Sequence, residues 1–412
     1  MQKNANRPGY KKTKVGWIPK DWDCLPFARL FEEIRLPVTP EANGLYREIG
    51  VRSHGKGVFH KEAVTGASLG DKRVFRCQPG ALVFNIVFAW EQAVAVLTEH
   101  EKDFIASHRF PMFKGRAGQA LEDYTLLFFK TRRGKELLTI ASPGGAGRNK
   151  TLSQKELDEL HVPCPTIVEQ RAIAELLVLW DKAIRALALK IEKKRQITKG
   201  MSQQLLSGGI RVKGYSTRWK NTRFGKVTFP RKDKIDPRVN GSQVFCIELE
   251  HIEAETGRLI GYTSATNSSS LKTHFRIGDV LFGKLRPYLR KCWLADRQGV
   301  CSTEIWALVP DIREIESPFL CQIVKADSFI GATSQTSGTH MPRADWQAVK
   351  NFELLLPSLD EQRAIAEILS AADAEIEALE RKLALFKEQK RFLLNNLVTG
   401  AIRLPEFRAC LP

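Results

Sequence analysis

The chain has 412 residues, of which 43% are hydrophobic and 27% charged, which indicates a globular protein of two or three domains and excludes a fully disordered or collagen-like chain. Lys and Arg outnumber Asp and Glu by 64 to 46, and the net charge of +18 favours a polyanionic partner such as nucleic acid. The first twenty residues are polar and basic and include Trp17 and Pro19, so we expect no signal peptide, no membrane-spanning helix and a cytoplasmic location.

The spacing of cysteine and histidine does not indicate a metal site. The eight cysteines include no C-x-x-C pair, and the eight histidines include no H-x-x-x-H or H-E-x-x-H pair. We therefore expect reduced cysteines in the domain cores and no bound metal.

Residues 1–160 are predicted to form a first globular domain of mixed strand and loop structure. Leu82 to Val87 and Tyr124 to Phe129 carry short β-rich patterns that are typical of strands. Two polar loops of this domain are candidates for contacts with a polyanion. They contribute Arg52, His54 and Lys56, and Arg148, Asn149 and Lys150.

Residues 161–212 are predicted to contain a first long helix. Thr166 and Glu169 fit a capping box, in which the hydroxyl and the carboxylate each bond a free amide at the helix start. The apolar residues that follow recur in steps of four and three, a heptad stripe that Lys194 and Thr198 interrupt. The stripe consists of Ile173, Leu177, Trp180, Ile184, Leu187 and Ile191, and it resumes at Met201 and Leu205.

Residues 213–356 are predicted to form a second globular domain. Strand-like patterns cover Phe245 to Glu250, Asp279 to Gly283 and Cys301 to Val309. Basic and aromatic side chains after such a strand can engage phosphates and base edges together, although a solvated basic loop has the same composition. The candidates for DNA contact are Lys284, Arg286, Tyr288, Arg290 and Lys291, with His340 and Arg343 in a later loop.

Residues 357–412 repeat the first helix and add a short tail. The letters E-Q-R-A-I-A-E occur at Glu169 to Glu175 and again at Glu361 to Glu367, and the register then continues without a gap to Ile210-Arg211 and Ile402-Arg403. The second copy also has a capping-box pattern, Ser358 to Glu361, and a heptad stripe that only Lys390 interrupts. The chain is therefore a duplication.

These elements predict an α+β fold with a pseudo-two-fold internal repeat. Two globular mixed α/β domains, each reading its own target, would be separated by two long helices that pair as an antiparallel coiled coil. The alternative is two amphipathic helices packed on separate domain cores. Helices of about 38 residues argue against it, because core helices usually end before 25 residues.

The sequence as a whole resembles a known family, and the resemblance covers nearly the full chain. It is carried by the repeated P-x-x-x-E-Q-R-A-I-A-E start, by the endings L-L-S-G-G-I-R and L-V-T-G-A-I-R, and by the run from Gly278 to Tyr288, G-D-V-L-F-G-K-L-R-P-Y. These features are similar to those of the specificity (S) subunits of Type I restriction-modification systems.

The resemblance implies a DNA-recognition subunit without its own active site. Each of two target-recognition domains would read one half of a split double-stranded DNA site, and the conserved helices would set the spacing and bind modification (methyltransferase) subunits, two per chain. Restriction (nuclease and translocase) subunits would join as a further layer. S-adenosylmethionine, ATP and Mg²⁺ would then be bound only by the partner subunits.

The residues themselves agree with a non-catalytic role. Gly144 to Thr151 is one letter short of a P-loop, because Asn149 replaces the glycine before the lysine. No N-P-P-Y or D-P-P-Y tetrapeptide is present to hold a flipped adenine. We therefore expect neither nucleotide hydrolysis nor methyl transfer by this chain alone.

The start of each repeated helix is a candidate surface for partner docking, with helix capping as the simpler explanation for its glutamates. The residues concerned are predicted to be exposed. They are Glu169, Gln170, Arg171, Glu361, Gln362 and Arg363. An alternative function is a coiled-coil interaction or scaffold protein whose positive charge gives only non-specific affinity for nucleic acid.

Overall fold

The computed structural model describes residues 7–145, 150–236, 245–265, 270–333 and 342–408. The chain divides into two compact units: unit 1 consists of Met1–Ala186 and Leu383–Pro412, and unit 2 of Leu187–Lys382. Each unit therefore combines one globular segment with parts of both long helices. Among the described residues, no helix has both the length and the apolar character needed to cross a bilayer.

Unit 1 begins with short strands and helices that precede the first long helix. The strands are β1 (Tyr10–Thr13), β2 (Gly16–Pro19), β3 (Asp23–Pro26), β4 (Phe31–Ile34), β5 (Pro37–Val38), β6 (Leu45–Val51), β7 (Val58–Thr65), β8 (Val74–Arg76), β9 (Leu82–Phe84), β10 (Val94–Val96), β11 (Ile105–Ser107), β12 (Met112–Gly115) and β13 (His161–Cys164). The helices are α1 (Phe27–Leu30), α2 (Gly66–Leu69), α3 (Glu122–Lys130), α4 (Arg132–Ile140), α5 (Gln154–Glu159) and the long α6 (Ile167–Ser207), which continues into unit 2.

Unit 2 contains a second, similar set. Its strands are β14 (Lys220–Arg223), β15 (Thr228–Pro230), β16 (Lys234–Ile235), β17 (Cys246–Ile247), β18 (Lys272–Phe275), β19 (Val280–Gly283), β20 (Cys292–Leu294), β21 (Gly299–Ser302), β22 (Ile305–Pro310) and β23 (Glu353–Leu356). Its helices are α7 (Phe224–Val227), α8 (Ser317–Lys325), α9 (Asp327–Thr333), α10 (Trp346–Val349) and the long α11 (Leu359–Leu397), which ends in unit 1.

The sheets of the two units have corresponding strand orders, except that the edge strand β7 of unit 1 has no counterpart among the strands of the described part of unit 2. In unit 1 the order is β10-β9-β12-β4 in one sheet and β5-β8-β11-β6-β7 in the other, and in unit 2 it is β20-β19-β22-β15 and β16-β18-β21-β17. In both units the second sheet contains one parallel pair, β6 with β11 and β17 with β21. The pairs β3-β13 and β14-β23 complete the correspondence. The two globular segments therefore share one topology, so the duplication extends beyond the helices.

Each unit has its own apolar core, which the start of one long helix helps to form. In unit 1 Ile173 and Leu177 of α6 pack with aromatic residues of the sheet and of α3, among them Phe84 and Phe128. In unit 2 Ile365 and Leu369 of α11 pack with Phe282 and its neighbours. Burial of these side chains stabilises the folded state by about 1.5–3 kcal/mol each, so each heptad stripe begins as part of a domain core.

Within each unit, one part of α6 lies against one part of α11. In unit 1 the Trp180 and Phe386 rings are 5.3 Å apart between centroids, and Lys390 Nζ is 2.6 Å from Asp181 Oδ1. In unit 2 Lys194 Nζ is 2.8 Å from Glu375 Oε2. The lysines that interrupt the two heptad stripes are therefore paired with acidic residues of the other helix.

One predicted strand is wrong. Residues 124–129 form most of helix α3, which begins with the acidic residues Glu122 and Asp123 in its first turn. Negative side chains at a helix start interact favourably with the helix dipole, and Tyr124, Thr125, Phe128 and Phe129 form its buried face. A short apolar run does not distinguish a buried strand from a buried helix by its pattern alone.

Other predicted strands are present but shorter or divided. Val280–Gly283 is a strand as predicted, and Leu82–Phe84 is the strand part of the predicted Leu82 to Val87. The segment predicted as one strand from Cys301 to Val309 forms two, β21 and β22. Only Cys246–Ile247 is extended in the predicted run from Phe245 to Glu250, since a 3-10 turn follows at Leu249.

Candidate nucleic-acid interface

The basic loop of unit 2 follows strand β19 and lies beside residues 342–344. The Lys284 amide donates to the Glu304 carbonyl oxygen at 3.0 Å, and the Lys284 carbonyl oxygen accepts from the Ala344 amide at 2.8 Å. The Arg286 amide donates to the Pro342 carbonyl oxygen, also at 2.8 Å. These bonds bring Arg343, which comes from far along the chain, next to the loop.

The predicted residues of this loop differ in their surroundings. Arg286 is exposed, half of the Tyr288 surface is accessible to solvent, and Lys284 is half-buried. Lys291 Nζ donates to the Leu249 carbonyl oxygen at 2.7 Å. Lys291 is therefore engaged within the fold, whereas Arg286 and Tyr288 are available to a ligand.

Arg290 is also engaged within the fold. Its guanidinium donates to the Lys325 carbonyl oxygen at 2.6 Å and is paired with Asp327 and Glu255. Partial burial opposes ionisation of Asp327, but hydrogen bonds from Arg290 and Lys199 hold the pKa of Asp327 below its ordinary value. Arg290 thus anchors the loop to the junction between α8 and α9.

Three residues of the first domain that were predicted to contact DNA lie beside a 3-10 turn of unit 1, Ala89–Glu91. The His54 amide donates to the Glu91 carbonyl oxygen at 2.6 Å, and Ser53 Oγ donates to Glu91 Oε2 at 2.8 Å. Glu91 ends the 3-10 turn that begins at Ala89, directly after β9 and its loop. The side chains concerned are all exposed: Arg52, His54 and Lys56.

Lys150 lies at the same turn of unit 1. Its Nζ is 5.2 Å from the centroid of the Trp90 ring, within the range of a cation–π interaction. Arg343, in the corresponding loop of unit 2, is exposed and lies 3.0 Å from Glu304 Oε2 through its Nε atom. Arg148, Asn149 and His340, which were also predicted to contact DNA, lie outside the described residues.

Most backbone hydrogen bonds of the two loops correspond, with an exception at Arg286, whose amide bonds Pro342 where that of Phe88 bonds Asn85. The Ile86 carbonyl oxygen accepts from the Leu152 amide at 2.8 Å, as that of Lys284 does from Ala344. Gln92 has a positive φ of 62°, and its counterpart Arg290 has one of 49°. Residues 86–92 of unit 1 are therefore equivalent to residues 284–290 of unit 2.

The anchors of the two loops are equivalent as well. Gln92 Nε2 donates to the Phe129 and Thr131 carbonyl oxygens at 2.8 and 3.2 Å, at the junction between α3 and α4. Arg290 makes the corresponding contacts at the junction between α8 and α9. A polar side chain at this position holds each loop to its domain.

Trp90 is a further candidate contact residue, which was not predicted from the sequence. It is the counterpart of Tyr288, it is half-buried, and it lies beside Lys150. The signal was present in the sequence, because the runs P-G-A-L-V-F and I-G-D-V-L-F precede the two loops and align them. When this alignment is extended beyond the two strands, Trp90 aligns with Tyr288.

The predicted exposure of the helix starts is wrong for Glu169. Its side chain is 1% exposed and accepts hydrogen bonds from Trp22 Nε1 at 3.1 Å and from Arg403 Nε and Nη2 at 2.9 and 2.6 Å. The ion pair raises the pKa of Arg403 above its ordinary value. The carboxylate therefore binds groups of unit 1 that are distant in sequence instead of closing a capping box.

Glu361 is buried in the same way in unit 2. It is 0% exposed and accepts from Arg211 Nε and Nη2 at 2.6 and 2.7 Å and from Trp219 Nε1 at 3.0 Å. Only the hydroxyl half of each predicted capping box is present: the Glu169 amide donates to Thr166 Oγ1, and the Glu361 amide donates to Ser358 Oγ. The predicted exposure of Glu361 is therefore wrong as well.

The glutamines that follow are buried too, which corrects their predicted exposure. Gln170 Oε1 accepts from the Leu121 amide at 2.9 Å, and its Nε2 donates to the Gln119 and Pro165 carbonyl oxygens at 2.9 and 3.0 Å. Gln362 makes the same three kinds of bond, to Glu316, Glu314 and Pro357. Each glutamine satisfies backbone groups where a long helix meets its domain.

Of the six predicted docking residues, only the two arginines are exposed. Arg171 lies in a shallow groove of unit 1 together with Val178, Leu179 and Lys182. Arg363 is paired with Glu316 at 2.7 Å and with Asp360 at 2.8 Å. Their role in docking stays a prediction.

Within the described residues, no group of three or more His, Cys, Asp or Glu side chains is arranged to hold a metal ion. The cysteines of the described segments are free thiols, five of them buried. Burial raises the pKa of the Cys77 thiol to about 12, so this side chain is an unreactive core residue.

The sequence and the fold both have known relatives. Residues 246–386 match the family described as the Type I restriction modification DNA specificity domain. The Type I restriction enzyme MjaVIII specificity subunit of Methanocaldococcus jannaschii is 22% identical over 94% of this chain and 94% of its own length. The EcoDI specificity subunit of Escherichia coli is also 22% identical, over 62% of this chain and 65% of its own length.

A solved structure has the same fold. The HsdS subunit from Thermoanaerobacter tengcongensis superposes with a TM-score of 0.56 at 15% identity and covers 93% of this chain and 98% of its own. The chain is thus an internally duplicated α+β protein. The predicted resemblance is confirmed: its sequence is similar to Type I restriction enzyme specificity subunits over nearly its full length, and residues 246–386 match the family's DNA specificity domain.

Proposed function

We propose that this chain is the DNA sequence-recognition subunit of a Type I restriction-modification complex, and that each globular domain reads one half of a bipartite site. The observation that carries the proposal is the pair of equivalent loops. They occupy the same place in the same topology but present different side chains: Trp90 with Lys150 in the first domain, and Arg286 with Tyr288 in the second. A shared backbone fold that presents different side chains in each domain is suited to recognising two different half-sites.

The net charge of +18 supports DNA as the ligand. Contacts between Lys or Arg and phosphates supply much of the affinity for DNA, whereas contacts with base edges supply the sequence information. Exposed arginine beside an aromatic ring can make both kinds of contact.

The long helices are proposed to form an antiparallel coiled coil that sets the spacing between the half-sites. They contain 41 and 39 residues, which at 1.5 Å per residue is a length of roughly 60 Å. The ring contact of Trp180 with Phe386 and the pairing of Lys390 with Asp181 support helix pairing in unit 1. The pairing of Lys194 with Glu375 supports it in unit 2. A spacer of fixed length would make the gap in the DNA site constant.

Two modification subunits are proposed to dock on the helix starts, with restriction subunits as a further layer. The exposed residues Arg171, Val178 and Leu179 support a docking surface in unit 1, because large exposed apolar side chains beside charged ones are typical of interfaces. S-adenosylmethionine, ATP and Mg²⁺ are proposed to be bound by those partners, and the chain itself is proposed to be non-catalytic.

A selection experiment tests recognition directly. The complex of this chain with its modification subunit is incubated with a library of random duplexes, and the retained DNA is sequenced. We expect a split motif with a constant gap, and we expect a duplex carrying it to outcompete random duplex by 1,000-fold or more at physiological salt. If the complex instead retains all duplexes equally, and its affinity varies with salt concentration but not with DNA sequence, the chain is an interaction protein with non-specific DNA affinity.

A further inference from the structure

The loop of unit 2 contains two arginines in the left-handed backbone region. Arg286 has φ 52° and ψ 60°, and Arg290 has φ 49° and ψ 39°. Residues other than glycine rarely adopt this conformation, because the Cβ atom is crowded there. Two such residues within five positions require an explanation.

The conformation of Arg290 is explained by the fold. Its counterpart in unit 1, Gln92, also has a positive φ and also binds the junction between two helices. Arg290 donates to the Lys325 carbonyl oxygen and is paired with Asp327. The left-handed turn at this position is therefore a common feature of both domains, and the side chain that makes it is a structural anchor.

The conformation of Arg286 is not explained in this way. Its counterpart Phe88 has φ −125° and ψ 16°, so the same loop is built in unit 1 without a left-handed residue at this position. Within the described part of the chain, the Arg286 guanidinium has no hydrogen-bond or ion-pair partner, and the residue is exposed. The Arg286 amide bonds the Pro342 carbonyl oxygen where that of Phe88 bonds Asn85, so the two backbones differ, but among the described residues no intramolecular contact of the side chain accounts for an arginine here.

The backbone on both sides of Arg286 is held firmly. Its amide donates to the Pro342 carbonyl oxygen at 2.8 Å, Leu285 forms a β-bridge with Arg343, and Pro287 follows with a fixed φ. A strained residue on a fixed backbone that exposes an unpartnered side chain is typical of a functional position.

We propose that Arg286 reads a guanine base in the half-site of the second domain; the inference rests on the proposed function. The planar guanidinium donates two parallel hydrogen bonds that match O6 and N7 of guanine in the major groove. Such a contact needs an accurately placed side chain, whereas attraction to a phosphate does not. The strained, fixed backbone at Arg286 provides that accuracy.

The variant Arg286→Gly tests the proposal without disturbing the turn, because glycine adopts a positive φ without strain. We expect the variant chain, in complex with the modification subunit, to be at least as stable to heat as the unaltered complex. In the duplex selection, one G·C pair of one half-site should become degenerate while the other half-site and the gap stay unchanged. Affinity for the original duplex should fall about 10- to 100-fold.

Arg286→Lys separates base reading from phosphate attraction, since lysine keeps the charge but not the two-pronged geometry. We expect the same base pair to become degenerate in this variant. If Arg286 contacts only phosphate, Arg286→Gly will weaken binding to all duplexes equally, leave the motif unchanged, and be rescued by lysine. That result overturns the inference while the split motif still supports the proposed function.

Arg290→Gly is the matched control at the other left-handed arginine. It removes the anchor to Lys325 and Asp327, so we expect lower thermal stability and an unchanged motif. A motif altered by Arg290→Gly and not by Arg286→Gly would overturn the assignment. Failure of the unaltered complex to select any split motif would overturn the proposed function, and the inference with it.

Discussion

At the scale of single residues, the repeated letters E-Q mark the places where two distant parts of the chain meet. Glu169 binds Trp22 and Arg403, and Glu361 binds Trp219 and Arg211. A buried carboxylate is tolerated only when its hydrogen-bonding capacity is satisfied, and here an indole and a two-pronged guanidinium satisfy it. The repetition of these letters is therefore explained by folding and does not require a partner.

The Glu169–Arg403 and Glu361–Arg211 ion pairs differ in exposure. Replacing the glutamate by glutamine should therefore lower the free energy of unfolding by different amounts in the two pairs. The Arg403 side chain is 7% exposed, and that of Arg211 is 30% exposed. We expect Glu169→Gln to lower the free energy of unfolding by about 3–5 kcal/mol, because among the described residues it leaves the buried Arg403 charge with Asp21 as its one acidic partner. Glu361→Gln should cost less, because water can solvate Arg211.

Denaturant unfolding of the two variants measures this difference. The triple variant Glu169→Leu with Arg403→Met and Trp22→Phe should recover much of the loss, because an apolar cluster has no charge to desolvate and leaves no buried indole N–H without an acceptor. Equal costs for Glu169→Gln and Glu361→Gln, or no recovery in the triple variant, would contradict the burial-based explanation.

At the scale of elements, the long helices were the most predictable part of the fold. The seven-letter repeat, the capping hydroxyls and the heptad stripe gave their starts within a residue or two, since each of these signals is local. In the sequence, Lys194 and Lys390 were recognisable only as interruptions of the two heptad stripes. Their acidic partners lie on the other helix, and such long-range pairs cannot be read from periodicity.

Glycines of the first long helix allow a sharp test of its conformation. Gly200 lies inside α6, is exposed, and has open space where a Cβ would be added. We expect Gly200→Ala to stabilise the chain by about 1 kcal/mol, because alanine loses less backbone entropy in a helix. Thermal or denaturant unfolding gives the value.

Gly208, just past the end of the helix, is the matched control. It has φ +77°, and an added Cβ would come within 3.2 Å of the Trp219 ring. Gly208→Ala should therefore destabilise by about 1–3 kcal/mol. If both alanine variants change stability in the same direction, the helix does not end where the structure places it.

At the scale of the whole molecule, the duplication includes the globular segments, although their sequences have diverged. The shared topology of the sheets and the equivalent loops make this evident, whereas in the sequence only short runs around residues 79–84 and 277–282 align. The DNA-contact candidates were harder to predict. The loop at 284–290 is completed by residues 342–344, and the one at 86–92 by residues 53–55, which are pairings that only the folded chain forms.

Because the two globular domains have corresponding topologies, we expect that the first domain can be exchanged as a whole for that of a relative. Replacing residues 1–150 with the corresponding segment of a relative should change one half of the recognised site and leave the other half and the gap unaltered. The exchanged segment must keep Trp22 and Asp21, because they contact Glu169 and Arg403 outside it. Sequencing of DNA selected by the chimaeric complex measures the outcome, and a change in both halves would contradict independent reading.

The central claim is that this chain alone determines which DNA is modified, and that it does so through two separate half-sites. The most direct test is to express it with its modification subunit and to map methylated bases across the genome of the host, with and without the chain. We expect methylation at a split motif with a constant gap, and we expect it to disappear when the chain is deleted. Methylation that persists without the chain, or that follows a single continuous motif, would contradict the account.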